Sequence, residues 1–296
     1  MKVRHRFAFN TSKTKIISFL DKHGIKYEEM QGVTVFYVYE DEDDFVMIKE
    51  FMTSNEAVSI SNAIYTKNEI ETADWLTVRS SWSSLYPQPE EDMNYRFATY
   101  DATNYCEGNP NISIPQGDKI TTYRKYATPT YYCRKGLVQK ESFVLKKEPN
   151  WGSRNFTMLH WVGDELFISP KTAEVLTKSD LSGFEYYDVK NKSKKTFNNV
   201  KQILIGNYVD KGLCADAIER THKCPVCGFT KFHLKTGIYR FHKEVFEGIK
   251  NDIVKTTDKF GEIHCDSLIL ITHKFYRTIV DSKLDRGLIF EPIKLV

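Results

Sequence analysis

Residues 223–229 read KCPVCGF, and our interpretation of the fold rests on this stretch. Cys224 and Cys227 are separated by two residues, a spacing that lets both thiolates of one tight turn bind the same metal ion. Gly228 follows the second thiol, where glycine readily adopts the positive φ that ends such a turn. This knuckle supplies two ligands, whereas a structural zinc ion needs four. The sequence therefore predicts a zinc site that other residues complete.

We expect Cys106 and Cys133 to be the other two ligands. Glycine, asparagine and proline separate them, and a hairpin across this stretch would bring both thiols to the knuckle. Four thiolates leave no open position on zinc, so such a site would be structural. The competing ligands are His222, His233, His242, His264 and Cys265. The most compact alternative is a local set of Cys224, Cys227, His233 and His242; in a further alternative the cysteines bind no metal and are buried apolar side chains.

Two similar segments follow the cysteine elements, at about 165–189 and 268–293. Each reads as a strand, a helix, a turn with a leucine before a glycine, and a second strand. The helix begins at Pro170 in the first segment and at His273 in the second, and the turns contain Gly183 and Gly287. Neither segment is long enough to bury its own apolar face. The pattern favours a duplication whose two copies pack together with pseudo-twofold symmetry.

The fold class predicted for the chain is α+β. Residues 1–95 alternate strand and helix patterns, which indicates an N-terminal domain of ferredoxin-like type. Residues 96–296 would form the zinc-knuckle domain with the internal repeat. The boundary is placed in the stretch 82–95 because Pro87, Pro89 and an acidic run favour a linker. The alternative is a surface loop inside one domain.

Composition limits the partners and the compartment. The 42 Lys and Arg nearly balance the 39 Asp and Glu, so no strong field favours nucleic acid as the main partner. No apolar run is long enough to span a membrane, and no secretion signal is apparent. The six cysteines of a chain without such a signal suit reduced, metal-bound thiolates. We therefore expect a cytoplasmic protein that does not bind membranes.

Aromatic and basic residues alternate at 120–134, and this stretch is our candidate for partner binding. Its members are Tyr123, Arg124, Tyr126, Tyr131 and Tyr132. One alternative is a zinc-containing module that binds nucleic acid through these side chains. Another is a β-hairpin in which the tyrosines pack across strands.

Sequence patterns of common catalytic sites are absent: there is no glycine-rich phosphate loop, no His-Glu-x-x-His and no Gly-x-Ser-x-Gly. The paired carboxylates of Asp164 and Glu165 are interpreted as a strand edge. The sequence therefore predicts a binding protein and not an enzyme.

The chain resembles the bacterial double-CxxCG family. The resemblance is carried by three parts of the sequence. They are Cys-Pro-Val-Cys-Gly at 224–228, the segment that begins with Pro-Asn-Trp-Gly at 149–152 and ends with Glu-Leu-Phe-Ile-Ser at 165–169, and Ile-Phe-Glu-Pro at 289–292. It covers about 106–296, and the first Cys-x-x-Cys-Gly of the family is disrupted here because Cys106 and Cys133 lie far apart. The resemblance implies a zinc-stabilised protein-binding module. Some members of the family are immunity proteins of polymorphic toxin systems, so it also implies a toxin as the partner.

Overall fold

The computed structural model describes residues 1–91, 94–101, 106, 137–224, 226–235, 239–261 and 265–296. The chain forms two compact units. The smaller contains Met1–Glu71, and the larger contains Thr72–Leu234 and Tyr239–Val296. Helices and strands occur in both units, so the predicted α+β class is confirmed.

The described residues form six α-helices and twenty strands. The helices are α1 Thr14–Lys22, α2 Phe45–Ser54, α3 Lys67–Glu71, α4 Tyr95–Thr99, α5 Pro170–Lys178 and α6 His273–Asp281. The first ten strands are β1 Lys2–Asn10, β2 Tyr27–Met30, β3 Val33–Tyr39, β4 Val58–Ile64, β5 Trp75–Ser80, β6 Tyr100–Asp101, β7 Val138–Gln139, β8 Val144–Leu145, β9 Phe156–Leu159 and β10 Val162–Ile168. The others are β11 Glu185–Asn191, β12 Thr196–Leu204, β13 Tyr208–Val209, β14 Ile218–Lys223, β15 Thr230–Leu234, β16 Tyr239–Phe241, β17 Ile253–Thr256, β18 Lys259–Phe260, β19 Ile269–Thr272 and β20 Leu288–Leu295. No helix in the described part of the chain combines the length and the apolar character needed to cross a bilayer.

The smaller unit is a four-stranded antiparallel sheet in the order β2-β3-β1-β4, with α1 and α2 in the connections. From β1 to β4 the order of elements is βαββαβ, and the short helix α3 follows β4. Alternate residues of β1 face the core, where Phe7 and Phe9 pack with Leu20 of α1 and Met52 of α2. The unit therefore has a hydrophobic core of its own.

Along the chain the smaller unit ends at Glu71 and the larger begins at Thr72, whereas the sequence placed the boundary near residue 95. The difference arises because β5 is a central strand of the larger unit, paired with β19 and β20. The described part of the stretch 82–95 is not a linker either. Ser83 bridges to Met158 of β9 and Pro87 bridges to Leu145 of β8, so this stretch pairs with both edge strands of one sheet of the larger unit.

Two similar sheets form the larger unit. One has the order β8-β11-β12-β10-β9, and the other has the order β16-β20-β5-β19-β17-β13. The five strands of the first sheet correspond in order to the first five of the second. The outer pairs β8–β11 and β16–β20 are parallel, and the next three pairs in each sheet are antiparallel. The two sheets therefore have one topology.

The two strand-helix-strand segments singled out in the sequence are β10-α5-β11 and β19-α6-β20. Their helices begin alike: Ser169 (ψ 160°) accepts a hydrogen bond from Thr172 N, and Thr272 (ψ 161°) accepts one from Phe275 N. A hydroxyl at this position satisfies a backbone N–H that has no partner inside the helix. Gly183 and Gly287 have φ of 101° and 86°, as the turns before β11 and β20 require.

Candidate metal centre

The knuckle lies at the end of the hairpin formed by β14 and β15. The two strands pair antiparallel up to Lys223 and Thr230, which leaves six residues in the loop between them. Cys224 N donates to Phe229 O at 2.7 Å, and Gly228 N donates to Cys224 O at 2.9 Å. Gly228 has φ 71°, the positive value expected from the sequence. These bonds fix the backbone on both sides of Cys227, so the two thiols are held on one turn.

A second hairpin brings Cys106 to the same place. Strand β6 pairs antiparallel with β7, and Cys106 lies between these two strands in the sequence, as Cys224 lies between β14 and β15. In the order of elements this hairpin precedes β8 as the β14–β15 hairpin precedes β16. Each of the two similar sheets is therefore preceded by a hairpin that carries cysteine.

Three thiols meet between these hairpins. The Sγ atoms of Cys106, Cys224 and Cys227 all lie within 4.8 Å of one another. Those of Cys106 and Cys224 are 3.7 Å apart. Two thiolates that bind one tetrahedral zinc ion at 2.3 Å lie about 3.8 Å apart, whereas a disulfide requires about 2.05 Å. The spacing thus fits ligands of a common metal ion and not a covalent pair.

The histidines of the local alternative do not join this group. Among the described residues, the three cysteines form the cluster of metal-ligand type, and neither His233 nor His242 is part of it. The Nδ1 atom of His233 instead lies 3.2 Å from Glu219 Oε2. The third thiol beside the knuckle thus belongs to the distant Cys106, which the sequence analysis named among the candidate ligands.

Several predicted site residues lie outside the described part of the chain. They are Cys133, the aromatic and basic set Tyr123, Arg124, Tyr126, Tyr131 and Tyr132, and His264 among the competing ligands. Cys133 as fourth ligand and the partner-binding stretch therefore stay predictions.

Two further described cysteines are buried and are not members of the thiol cluster. Cys214 precedes a short 3-10 helix and is 4% exposed, and Cys265 is fully buried. Burial, followed by the charge of Asp216, raises the pKa of the Cys214 thiol and so disfavours the thiolate that a metal requires. No disulfide joins the cysteines that the structure describes.

The buried charges on β10 were misread from the sequence as a strand edge. Asp164 is 3% exposed and Glu165 is 5% exposed. Glu165 Oε1 accepts from Lys255 Nζ at 2.6 Å, and Asp164 Oδ2 accepts from Lys259 Nζ at 3.3 Å. The only available signal was acidic residues inside an apolar strand, which does not identify the distant lysines.

No protein-family model matches the chain, and no curated protein matches it. The interpretation of the thiol cluster therefore rests on its own geometry.

Proposed function

We propose that the chain is a zinc-stapled protein-binding module without enzymatic activity. Its metal would be a structural zinc ion held by Cys106, Cys224, Cys227 and Cys133. The observation that carries this proposal is the convergence of three thiols from two separate hairpins to within 4.8 Å. Thiolates prefer soft and borderline metals, and zinc in particular accepts four of them in a closed site.

The role assigned to the ion follows from its ligands. A site of four thiolates has no position for water or substrate, so it supports folding and not Lewis-acid catalysis. In isolated peptides such an ion contributes about 10 kcal/mol to folding at neutral pH. Here it would tie the hairpin before one sheet to the hairpin before the other, and so fix the surface that both present.

The experiment is elemental analysis of the purified protein and of single Cys→Ser variants. We expect one zinc per chain, lost in Cys106→Ser, Cys133→Ser, Cys224→Ser and Cys227→Ser. Cys214→Ser is the matched control because its thiol is buried outside the cluster, and it should keep the ion. Zinc retained in both Cys106→Ser and Cys133→Ser would limit the site to the knuckle and refute the two-hairpin arrangement.

The partner we propose is a protein, and the resemblance to the double-CxxCG family favours a bacterial toxin. The chain would then neutralise that toxin in the cytoplasm by binding it. Co-expression with the product of each neighbouring gene, followed by measurement of growth and co-purification, tests this proposal. Protection by the wild type but not by Cys224→Ser would support it. If a neighbouring gene product is a toxin, and this chain neither restores growth nor co-purifies with it, the proposal is refuted.

A further inference from the structure

Each of the two similar sheets of the larger unit is completed by a strand from elsewhere in the sequence. We define a first half, residues 75–191 from β5 to β11, and a second half, residues 196–295 from β12 to β20. Strand β5 of the first half lies between β19 and β20, which belong to the second half. Strand β12 of the second half lies between β10 and β11, which belong to the first. Each half therefore begins with a strand that sits in the other half's sheet.

The two insertions match residue by residue. Thr77 of β5 pairs with Leu270 on one side and Glu291 on the other. Gln202 of β12 pairs with Phe167 and Tyr187 in the corresponding places. The match shows that both strands occupy the same site in the two sheets.

The chain also leaves the two inserted strands in the same way. After β5, Ser83 bridges in parallel to Met158 of β9, at the edge of the first half's own sheet. After β12, β13 pairs in parallel with β17, at the edge of the second half's own sheet. The bonds Met158 N to Trp82 O, 3.3 Å, and Lys255 N to Asn207 O, 2.9 Å, are equivalent. Each half thus contributes one strand to its companion's sheet, and the chain that follows this strand pairs with the half's own sheet.

We infer that each half carries a strand-acceptor groove, and that the occupant it fits is the first strand of a companion half. Residues 75–295 are then a covalently joined, strand-exchanged pair. Without the occupant, the backbone groups of both flanking strands would lose their partners, and the core would open. The occupants contribute to that core: Trp75 of β5 belongs to the core cluster of Leu270 in the second half, and Val200 of β12 belongs to the core cluster of Phe167 in the first. This inference does not depend on the metal.

Buried polar contacts determine which strand fits the groove of the first half, which lies between β10 and β11. Gln202 Nε2 donates to Glu165 Oε2 at 3.0 Å and to Gln139 Oε1 at 2.7 Å. A strand shifted by one residue would point Gln202 to the opposite face and leave Glu165 without this donor. The groove therefore recognises both an apolar strand and the position of one amide along it.

Hydrogen exchange of variants in each inserted strand of the full chain tests the exchange of strands. Leu76→Ala should lower the protection of β17, β19 and β20, in the second half, by roughly 30-fold or more. Ile203→Ala should do the same to β9, β10 and β11, in the first half. If either variant loses more protection in the half that contains the substituted residue than in the other half, the inference is overturned. Val78→Ala, at a site 4% exposed on β5, replaces Leu76→Ala if that variant does not fold.

Cleavage of the full chain between the halves gives an independent test. Residues 192–195 are exposed, so a protease recognition sequence can be inserted there. Trp75 belongs to the first half but lies 5.0 Å, centroid to centroid, from Phe246 of the second. With 5-fluorotryptophan, the Trp75 resonance, assigned with Trp75→Phe, should keep its chemical shift after cleavage, and both fragments should co-elute. Separation of the fragments under native conditions, or a shifted Trp75 resonance, would overturn the inference.

Discussion

At the scale of single residues, the ion pair between Glu165 and Lys255 is a buried contact within the larger unit. The two side chains are 7% and 5% exposed, and they join the first half to the second. Burial lowers the pKa of Lys255, but Glu165 and Asp164 raise it by more, so it lies above its ordinary value. Lys255 is therefore charged at neutral pH. Its ammonium group supplies the positive charge beside the buried Glu165 carboxylate.

Lys255→Met should destabilise the larger unit by about 3–5 kcal/mol, because it leaves the buried Glu165 carboxylate without its cation. The loss is measured as the change in unfolding free energy from urea titrations followed by tryptophan fluorescence. The double variant Lys255→Met with Glu165→Gln removes both charges and should regain most of that stability. A single variant as stable as the wild type would mean that the pair does not hold the halves together.

At the scale of elements, the helices α5 and α6 offer a matched comparison. Ser169→Ala and Thr272→Ala each remove the hydroxyl that accepts a backbone N–H in the first turn, and each should cost about 1 kcal/mol. Thr272→Ser keeps the hydroxyl and should retain nearly full stability. Chemical denaturation of all three variants checks this. Equal losses in Thr272→Ser and Thr272→Ala would assign the effect to the lost methyl group and not to the cap.

The same helices show which parts of the fold the sequence could predict. Pro170 at a helix start, a hydroxyl before each helix and glycine in each turn are local signals, and they located α5, α6 and their flanking strands. The insertion of β5 between β19 and β20 has no local signal, since the apolar pattern of a strand does not show which distant strands it pairs with. The domain boundary was misplaced for this reason.

In the candidate site, too, some residues are identifiable from a local sequence pattern and others are not. Cys224 and Cys227 are identifiable because their spacing and Gly228 act within one turn. Cys106 could be proposed only by expecting a hairpin between it and Cys133, because its approach to Cys224 joins segments that are far apart in the sequence. The local pattern therefore identifies the knuckle but not the distant thiol that approaches it.

At the scale of the whole molecule, the two units have separate cores, and the thiol cluster belongs to the larger. If zinc staples the two hairpins, removing it should lower the thermal midpoint of the larger unit and leave the smaller unchanged, because only the larger binds the ion. Tryptophan fluorescence reports the larger unit selectively, since Trp75, Trp82, Trp151 and Trp161 all lie in it. Hydrogen exchange of β1 and β3 reports the smaller.

We therefore expect a strong chelator to lower the fluorescence midpoint by several degrees while exchange in β1 and β3 is unaffected. Cys224→Ser should show the lowered midpoint without chelator and no further change with it. Because β5 and β12 cross between the halves, both sheets should lose protection together and not one after the other. Loss confined to the β14–β15 hairpin would mean that the ion orders only the knuckle, and that the exchanged strands hold the halves together without it.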